Sequence, residues 1–243
     1  MDGNQRGITL QNIRIILVET SHPGNIGATA RAMKTMGLTR LRLVKPKRFP
    51  HAEASARATG ADDLLQMAEI FPTIMAAIAD CGLILGTSAR DRYLAWPVAE
   101  VRSAAIQAVA HAITSPVAIL FGNERTGLTN TELEHCHFLV RIPTAGDYSS
   151  LNLAAAVQIF AYEILMATQQ PLPELPQHIP ALALEMERLY THIDQVMSAI
   201  GFLHPAHPRL LRRRIRRLCQ RAQPDALEVN LLRGILTAIQ RHK

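Results

Sequence analysis

Five short apolar runs, rich in β-branched residues, punctuate the first 142 residues, and each is followed by a stretch that reads as helix. IRIILVE (13–19), LRLV (41–44), GLILGTS (82–88), VAILFG (117–122) and FLVRI (138–142) have the length and composition of strands buried on both faces. Between them, NIGATARAMKTM (25–36) predicts a helix ended by Gly37. Helical patches follow at 52–58 and 72–80, then VAEVRSAAIQAVAHAI, the short TNTELEHC, and the apolar helix that begins after IPTAGDYSSLN (142–152). Strands that alternate with helices must be joined by crossovers. The alternation therefore predicts an α/β fold, a mostly parallel sheet with helices on both faces.

The pattern stops at PLPELPQHIP (171–180), where four prolines end any continuing helix or strand. Beyond it the chain reads as helix alone, over 181–200, 208–222 and 224–241. The expected organisation is an α/β domain over 1–168, a proline-rich linker over 169–180 and a small helical C-terminal domain over 181–243. No internal repeat or low-complexity tract interrupts this plan.

Composition excludes several classes. Of the 243 residues, 48% are apolar and 19% charged, a globular balance and not that of a disordered chain. Cys81, Cys136 and Cys219 are widely spaced and odd in number, so neither a disulfide framework nor a zinc spacing is present. The start, MDGNQRGITLQNIRIILVET, lacks the long apolar core of a secretory signal. The most apolar stretch, 151–167, is interrupted by Asn152, Gln158 and Glu163, which argues against a membrane span. A soluble, cytoplasmic protein is expected.

Charge is distributed unevenly. Residues 171–243 hold 11 Lys and Arg against 6 Asp and Glu, and seven of the 11 are arginines between Arg209 and Arg221. In HPRLLRRRIRRLCQR the cations Arg209, Arg212, Arg213, Arg214, Arg216 and Arg217 have almost no acid nearby in sequence. Self-repulsion at that density favours an anionic partner, and nucleic acid is the expected one, against a plain solvated helix face.

In open α/β sheets ligands gather at the carboxyl ends of the strands. The loops there are ETSHPGNIGATAR, GTSAR, FGNERTGLT and IPTAGDYSSLN, all rich in residues that donate hydrogen bonds or allow close backbone approach. PGNIGAT lacks the first glycine pair of a dinucleotide fingerprint. GNERTGLT (122–129) approaches a phosphate-binding loop, but Leu128 stands where the lysine would be. No G-x-S-x-G elbow occurs, and the triplet His135-Cys136-His137 reads as a helix end and not a metal site.

NIGATARAMKTMGL, FGNERTGLT and IPTAGDYSSLNLAAAV, in that order and spacing, resemble the three motifs of the SPOUT RNA 2′-O-ribose methyltransferases. ETSHPGNIGATARAMKTMGL, GTSAR and YSSLNLA, with a helical extension afterwards, are similar to the TrmJ branch of that family, which methylates the ribose of nucleotide 32 in the tRNA anticodon loop. The resemblance covers 12 to about 168 strongly and the tail more loosely. It implies the SPOUT fold with a C-terminal trefoil knot, a homodimer, tRNA as substrate, and S-adenosylmethionine as donor with S-adenosylhomocysteine as product and no metal.

By the same resemblance the cofactor would be held by Thr87, Ser88, Ala89, Gly122, Ile142, Ser149, Ser150 and Leu151. Arg31 would be the catalytic cation beside the target hydroxyl. A guanidinium stays charged, so steadying the incipient alkoxide and an adjacent phosphate suits it better than acting as a base. Glu124 would orient Arg31, and Asn25, Ser150 and Asn152 would fix the ribose and the arginine by hydrogen bonds. Other readings of the same residues stay open. Asn25 would cap the first helix, Ser149 or Ser150 would cap the helix after 152, Glu124 would pair within its own turn, and Arg31 would be a surface arginine. Tyr148 would stack on a flipped-out base or pack within its loop. A different tRNA or rRNA nucleotide as target, or a non-catalytic RNA-binding module, are the rival functions.

Overall fold

A computed structural model describes residues 7, 9–89, 96–145, 150–171, 179–204 and 210–241. All seven described strands run parallel in one sheet. In chain order the elements are β1 (Ile13–Val18), α1 (Pro23–Thr35), β2 (Arg40–Val44), α2 (Ala52–Ala58), α3 (Asp62–Gln66), β3 (Glu69–Phe71), α4 (Ile74–Ile78), β4 (Leu83–Thr87), β5 (Val98–Glu100), α5 (Val101–His111), β6 (Val117–Phe121), α6 (Asn130–Leu133), β7 (Phe138–Arg141), α7 (Leu153–Ala167), α8 (Ala183–Ala199), α9 (Leu211–Ala222) and α10 (Ala226–Arg241). The strand order is β3-β2-β1-β6-β4-β7-β5.

The period of two along β1 divides the core. Ile13, Ile15 and Leu17 enter one cluster with α1, α2, α5 and α7, while Ile16 and Val18 enter another with α4, α6 and the start of α8. Burial on both faces is why the central strands read as continuous apolar runs. The five expected strands are present, each within a residue or so of its predicted ends. Two more were missed. β3 and β5 are three residues long, sit at the two edges of the sheet and are largely exposed. Val98–Glu100, expected as the start of a helix, is β5, and the helix begins only at Val101.

The C-terminal helices pack on the sheet domain. Ala183 N–H donates to the Cys81 carbonyl at 2.9 Å and Leu184 N–H to the Ala79 carbonyl at 3.3 Å. The α9 guanidinium of Arg217 lies 5.2 Å from the centre of the Trp96 ring, and Gln220 donates to the Glu134 carbonyl. Ala181, Met186, Leu189, Tyr190 and Val229 form a small core among the three helices themselves.

Candidate functional site

Three segments at the carboxyl edge of the sheet are tied together by a hydrogen-bond network centred on one carboxylate. Glu124, just after β6, accepts four hydrogen bonds, three from the loop between β1 and α1 and one from Asn25 in the first turn of α1. Its Oε2 takes the Ser21 N–H (2.9 Å) and hydroxyl (2.8 Å), and its Oε1 takes the His22 N–H (3.1 Å) and Asn25 Nδ2 (2.9 Å). Asn25 Oδ1 in turn accepts from Asn152 Nδ2 at 3.1 Å. Asn152 is the N-cap of α7, its Oδ1 accepting from Ala154 N–H (2.9 Å) and Ala155 N–H (3.4 Å). The sheet places Ser21, Asn25, Glu124 and Asn152 within one network although they come from three parts of the chain.

Burial by itself would raise the pKa of Glu124. The hydrogen bonds from Asn25 and Ser21 outweigh it and bring the pKa down to about 2. Glu124 is therefore a permanent anion at neutral pH and has no capacity to take a proton there. Its chemistry is to hold the Ser21–Asn25 turn in place.

The network closes one side of a cavity. Thr87, Ser88 and Ala89 line it from the end of β4, with Gly122 to Leu128 after β6, Val140 and Ile142 from the end of β7, and Ser150, Leu151, Leu153 and Ala156 at the start of α7. One wall is thus apolar and the other carries hydroxyls, amides and backbone groups. Among the described lining residues, Glu124 and Arg125 carry charge. Thr87 Oγ1 donates to the Leu120 carbonyl at 3.0 Å and Ser88 N–H to the Val140 carbonyl at 3.1 Å, so both are held from neighbouring strands.

Several expectations need correction. Asn25 is not a helix cap: His22 occupies the N-cap of α1, Pro23 follows it, and Asn25 lies inside the helix. Ser150 does not cap α7, because Asn152 does. Glu124 makes no ion pair with Arg31 among the described residues, since its four hydrogen bonds all go to Ser21, His22 and Asn25. Arg31 stands exposed on α1, off the cavity wall. Gly122, on the cavity wall, is also demanded by its own loop. A Cβ there would lie 2.1 Å from the Leu128 nitrogen and 2.2 Å from the Gly127 carbonyl carbon, so the tight return of the loop excludes any side chain.

Three arginines of the cluster are paired with acids of other elements. Arg216 is bidentate to Glu187 at 2.7 Å on both arms and lies 4.4 Å from the Tyr190 ring centre. Arg212 pairs with Asp194 at 3.0 Å and Arg213 with Glu134. The self-repulsion expected from the local sequence is offset in part by these acids. Arg214 is exposed with no ion pair among the described residues. Ser149, Tyr148 and Arg209 lie outside the described residues.

Sequence reasoning missed Ser21, which gives Glu124 two of its four hydrogen bonds, and Arg125 as a cavity-wall cation. Ser21 belongs to a loop already marked as polar, but nothing local points it at residue 124. The three cysteines are free. His137 Nδ1 accepts the Ile84 N–H at 3.1 Å, so it serves the backbone. Among the described residues no helix is long and apolar enough to cross a membrane.

Residues 12–162 match the model of the SpoU rRNA Methylase family, and residues 184–243 match that of the tRNA methyltransferase TrmJ C-terminal domain. A tRNA (cytidine/uridine-2′-O-)-methyltransferase TrmJ from Sodalis glossinidius is 50% identical over 235 residues, 95% of this chain and 92% of that protein. One of the same description from Yersinia enterocolitica is 50% identical over 238 residues, covering 96% and 93%. The crystal structure of TrmJ from Z. mobilis ZM4 superimposes with a TM-score of 0.84 at 34% identity, covering 93% of this chain and 98% of that one.

Proposed function

Because the chain belongs to the SpoU rRNA methylase family and ends in a TrmJ C-terminal domain, we propose that it methylates the ribose 2′-hydroxyl of a cytidine or uridine in tRNA, at nucleotide 32 of the anticodon loop. The observation that carries this reading is the junction of Asn152, Asn25 and Glu124 beside a cavity at the carboxyl edge of the sheet. The division into a catalytic domain over 1–168, a linker over 169–180 and a helical domain over 181–243 belongs to the same reading, as do the trefoil knot, a homodimer and a cytoplasmic location.

The cavity suits S-adenosylmethionine. Ile142, Leu151, Leu153 and Ala156 offer an apolar wall to a flat base, and the backbone at 87–89 and 122–128 offers polar groups to its edge. Arg125 stands where a carboxylate or phosphate would meet it. When bound, the cofactor supplies a methyl made electrophilic by a sulfonium, so the protein's tasks are alignment, charge and exclusion of water. Thr87, Ser88, Ala89, Gly122, Ile142, Ser150 and Leu151 hold the donor in this reading, and Ser149, outside the described residues, is given the same role by sequence alone. Asn152 and Ser150 orient the ribose. Arg31 faces solvent and is free to meet an RNA phosphate and steady the oxygen that loses its proton. Arg214, with Arg212 at its edge, is the part of the α9 cluster best presented to tRNA; Arg213, Arg216 and Arg217 first hold the helix to its own protein.

Incubation with methyl-labelled S-adenosylmethionine and total tRNA, followed by mapping of the label, tests the reading. Label on the ribose of nucleotide 32 is expected. Label on base atoms, or on another nucleotide alone, overturns the assignment. No transfer at all from folded protein that still binds RNA favours the non-catalytic module.

A further inference from the structure

We propose that the loop Lys45–Arg48 forms a second cationic lip of the site, binding backbone phosphates that flank the target nucleotide. The inference rests on the RNA-methylating reading and names a contact surface on a different element from the α9 arginines.

β1 and β2 are neighbours in parallel register, with Val18 opposite Val44. The next residue of each strand, Glu19 and Lys45, has a positive φ, 50° and 46°. Neither is glycine, and a left-handed backbone costs such residues about 1–2 kcal/mol. Two adjacent strands therefore leave the sheet through the same unfavourable turn. Strain of this kind persists only where surrounding bonds over-determine it. Here Glu19 N–H donates to the Val44 carbonyl (2.8 Å), Lys45 N–H to the Phe71 carbonyl (3.1 Å) and Lys47 N–H to the Thr20 carbonyl (3.0 Å). Asn123 Nδ2, from the cavity loop, donates to the Glu19 carbonyl at 2.8 Å.

The result is that KPKR is tied by its backbone to Thr20, next to the Ser21 that anchors Glu124. Lys45, Lys47 and Arg48 are all exposed, and none has an acid partner among the described residues. Of the acids around the loop, Glu19 stands opposite Lys45 but forms no ion pair with it among the described residues, Glu124 is held by its four donors, and Glu53 sits beside His22 at 3.6 Å. β2 lies two strands from β6, about 10 Å at the usual strand spacing of ~4.8 Å. A lip at that distance reaches phosphates one or two nucleotides from a ribose held at the cavity. Three unpaired cations on a loop of fixed backbone fit a polyanion backbone, which contributes affinity and register without reading sequence.

The test compares full-length wild type with Lys47→Ala/Arg48→Ala and with the charge reversal Lys47→Glu. Readouts are tRNA Kd against salt concentration, S-adenosylmethionine Kd, thermal unfolding, and KM and kcat for tRNA. The double variant is expected to raise tRNA Kd and KM about 10-fold and to flatten the log–log salt slope by about 1 for each cation removed. Cofactor Kd and Tm stay at wild-type values, because both side chains are exposed and make no side-chain hydrogen bond or ion pair among the described residues. Lys47→Glu weakens tRNA binding further. Wild-type salt slope and KM in the double variant overturn the proposal even if methylation proceeds. Conversely, a flattened slope in a protein that never methylates RNA leaves the lip standing and removes the reading it rests on.

Discussion

Asn152 donates a 3.1 Å hydrogen bond to Asn25 across 127 positions of sequence, while its other side-chain atom caps α7. One amide thus fixes both the start of a helix and the orientation of a residue on α1. Asn25 passes the constraint to Glu124, and Glu124 to the turn at Ser21. The polar rim is therefore one rigid unit, which is what a site needs if it is to align two reactants without spending binding energy on ordering itself.

The two jobs of Asn152 separate by substitution. Asn152→Asp keeps the cap acceptor but replaces the donor to Asn25 with a carboxylate oxygen. Unfolding free energy is expected to stay within about 0.5 kcal/mol of wild type, since Asp and Asn cap equally well. Methyl transfer should fall by about 10-fold or more. Equal activity in the two proteins, measured as initial rates, would show that the Asn25 contact is dispensable.

Glu124 makes stability depend on pH in one direction. Its folded pKa is about 2 against an unfolded value of 4.5, so the stabilisation is complete above about 4.5 and is lost as pH falls toward 2. Glu124→Gln removes this dependence and leaves donors of the Ser21–Asn25 turn without a charged acceptor. Chemical denaturation at pH 7 and pH 3 should show a smaller difference in the variant than in wild type. An unchanged pH slope would place the low-pH loss elsewhere.

Arg31→Ala is expected to lower methyl transfer by about 100- to 1,000-fold, the range for removal of one group that stabilises developing charge. Cofactor affinity should remain near wild type, because Arg31 lies off the cavity wall. Parallel loss of cofactor binding by calorimetry would assign it to the pocket itself.

Arg216 and Arg214 should part company. Arg216→Ala strands Glu187 and removes the contact on Tyr190, for a loss of about 1–3 kcal/mol in unfolding experiments. Arg214→Ala should leave Tm unchanged and weaken tRNA binding with a flatter salt slope. A truncation before Pro171 is expected to weaken tRNA binding too, but it also uncovers the surface that Ala183 and Arg217 occupy, so the single substitutions are the cleaner comparison.

The sheet was legible because strands buried on both faces write continuous apolar runs. β3 and β5 were not, since three exposed edge residues bury too little to leave a pattern, and the VAE of β5 reads equally well as a first helical turn. At the site, GTSAR, FGNE and SSLN could be placed together because parallel topology brings strand ends to one edge. Which side chain faces which could not. Glu124 has the charge to suit Arg31, yet the turn at Ser21 reaches it first. Part of the α9 pairing is hidden for a related reason: Asp194, Glu134 and Glu187 meet Arg212, Arg213 and Arg216 from other elements, invisible to a local charge count.

Titration calorimetry of S-adenosylmethionine into wild type and Ala156→Trp addresses the central claim most directly, because Ala156 lies on the cavity wall with its backbone inside α7. The expected result is saturable binding to wild type and its loss in the variant, with far-ultraviolet circular dichroism unchanged. Undiminished uptake by the blocked variant, or none by folded wild type, would contradict the placement of the methyl donor at this edge of the sheet.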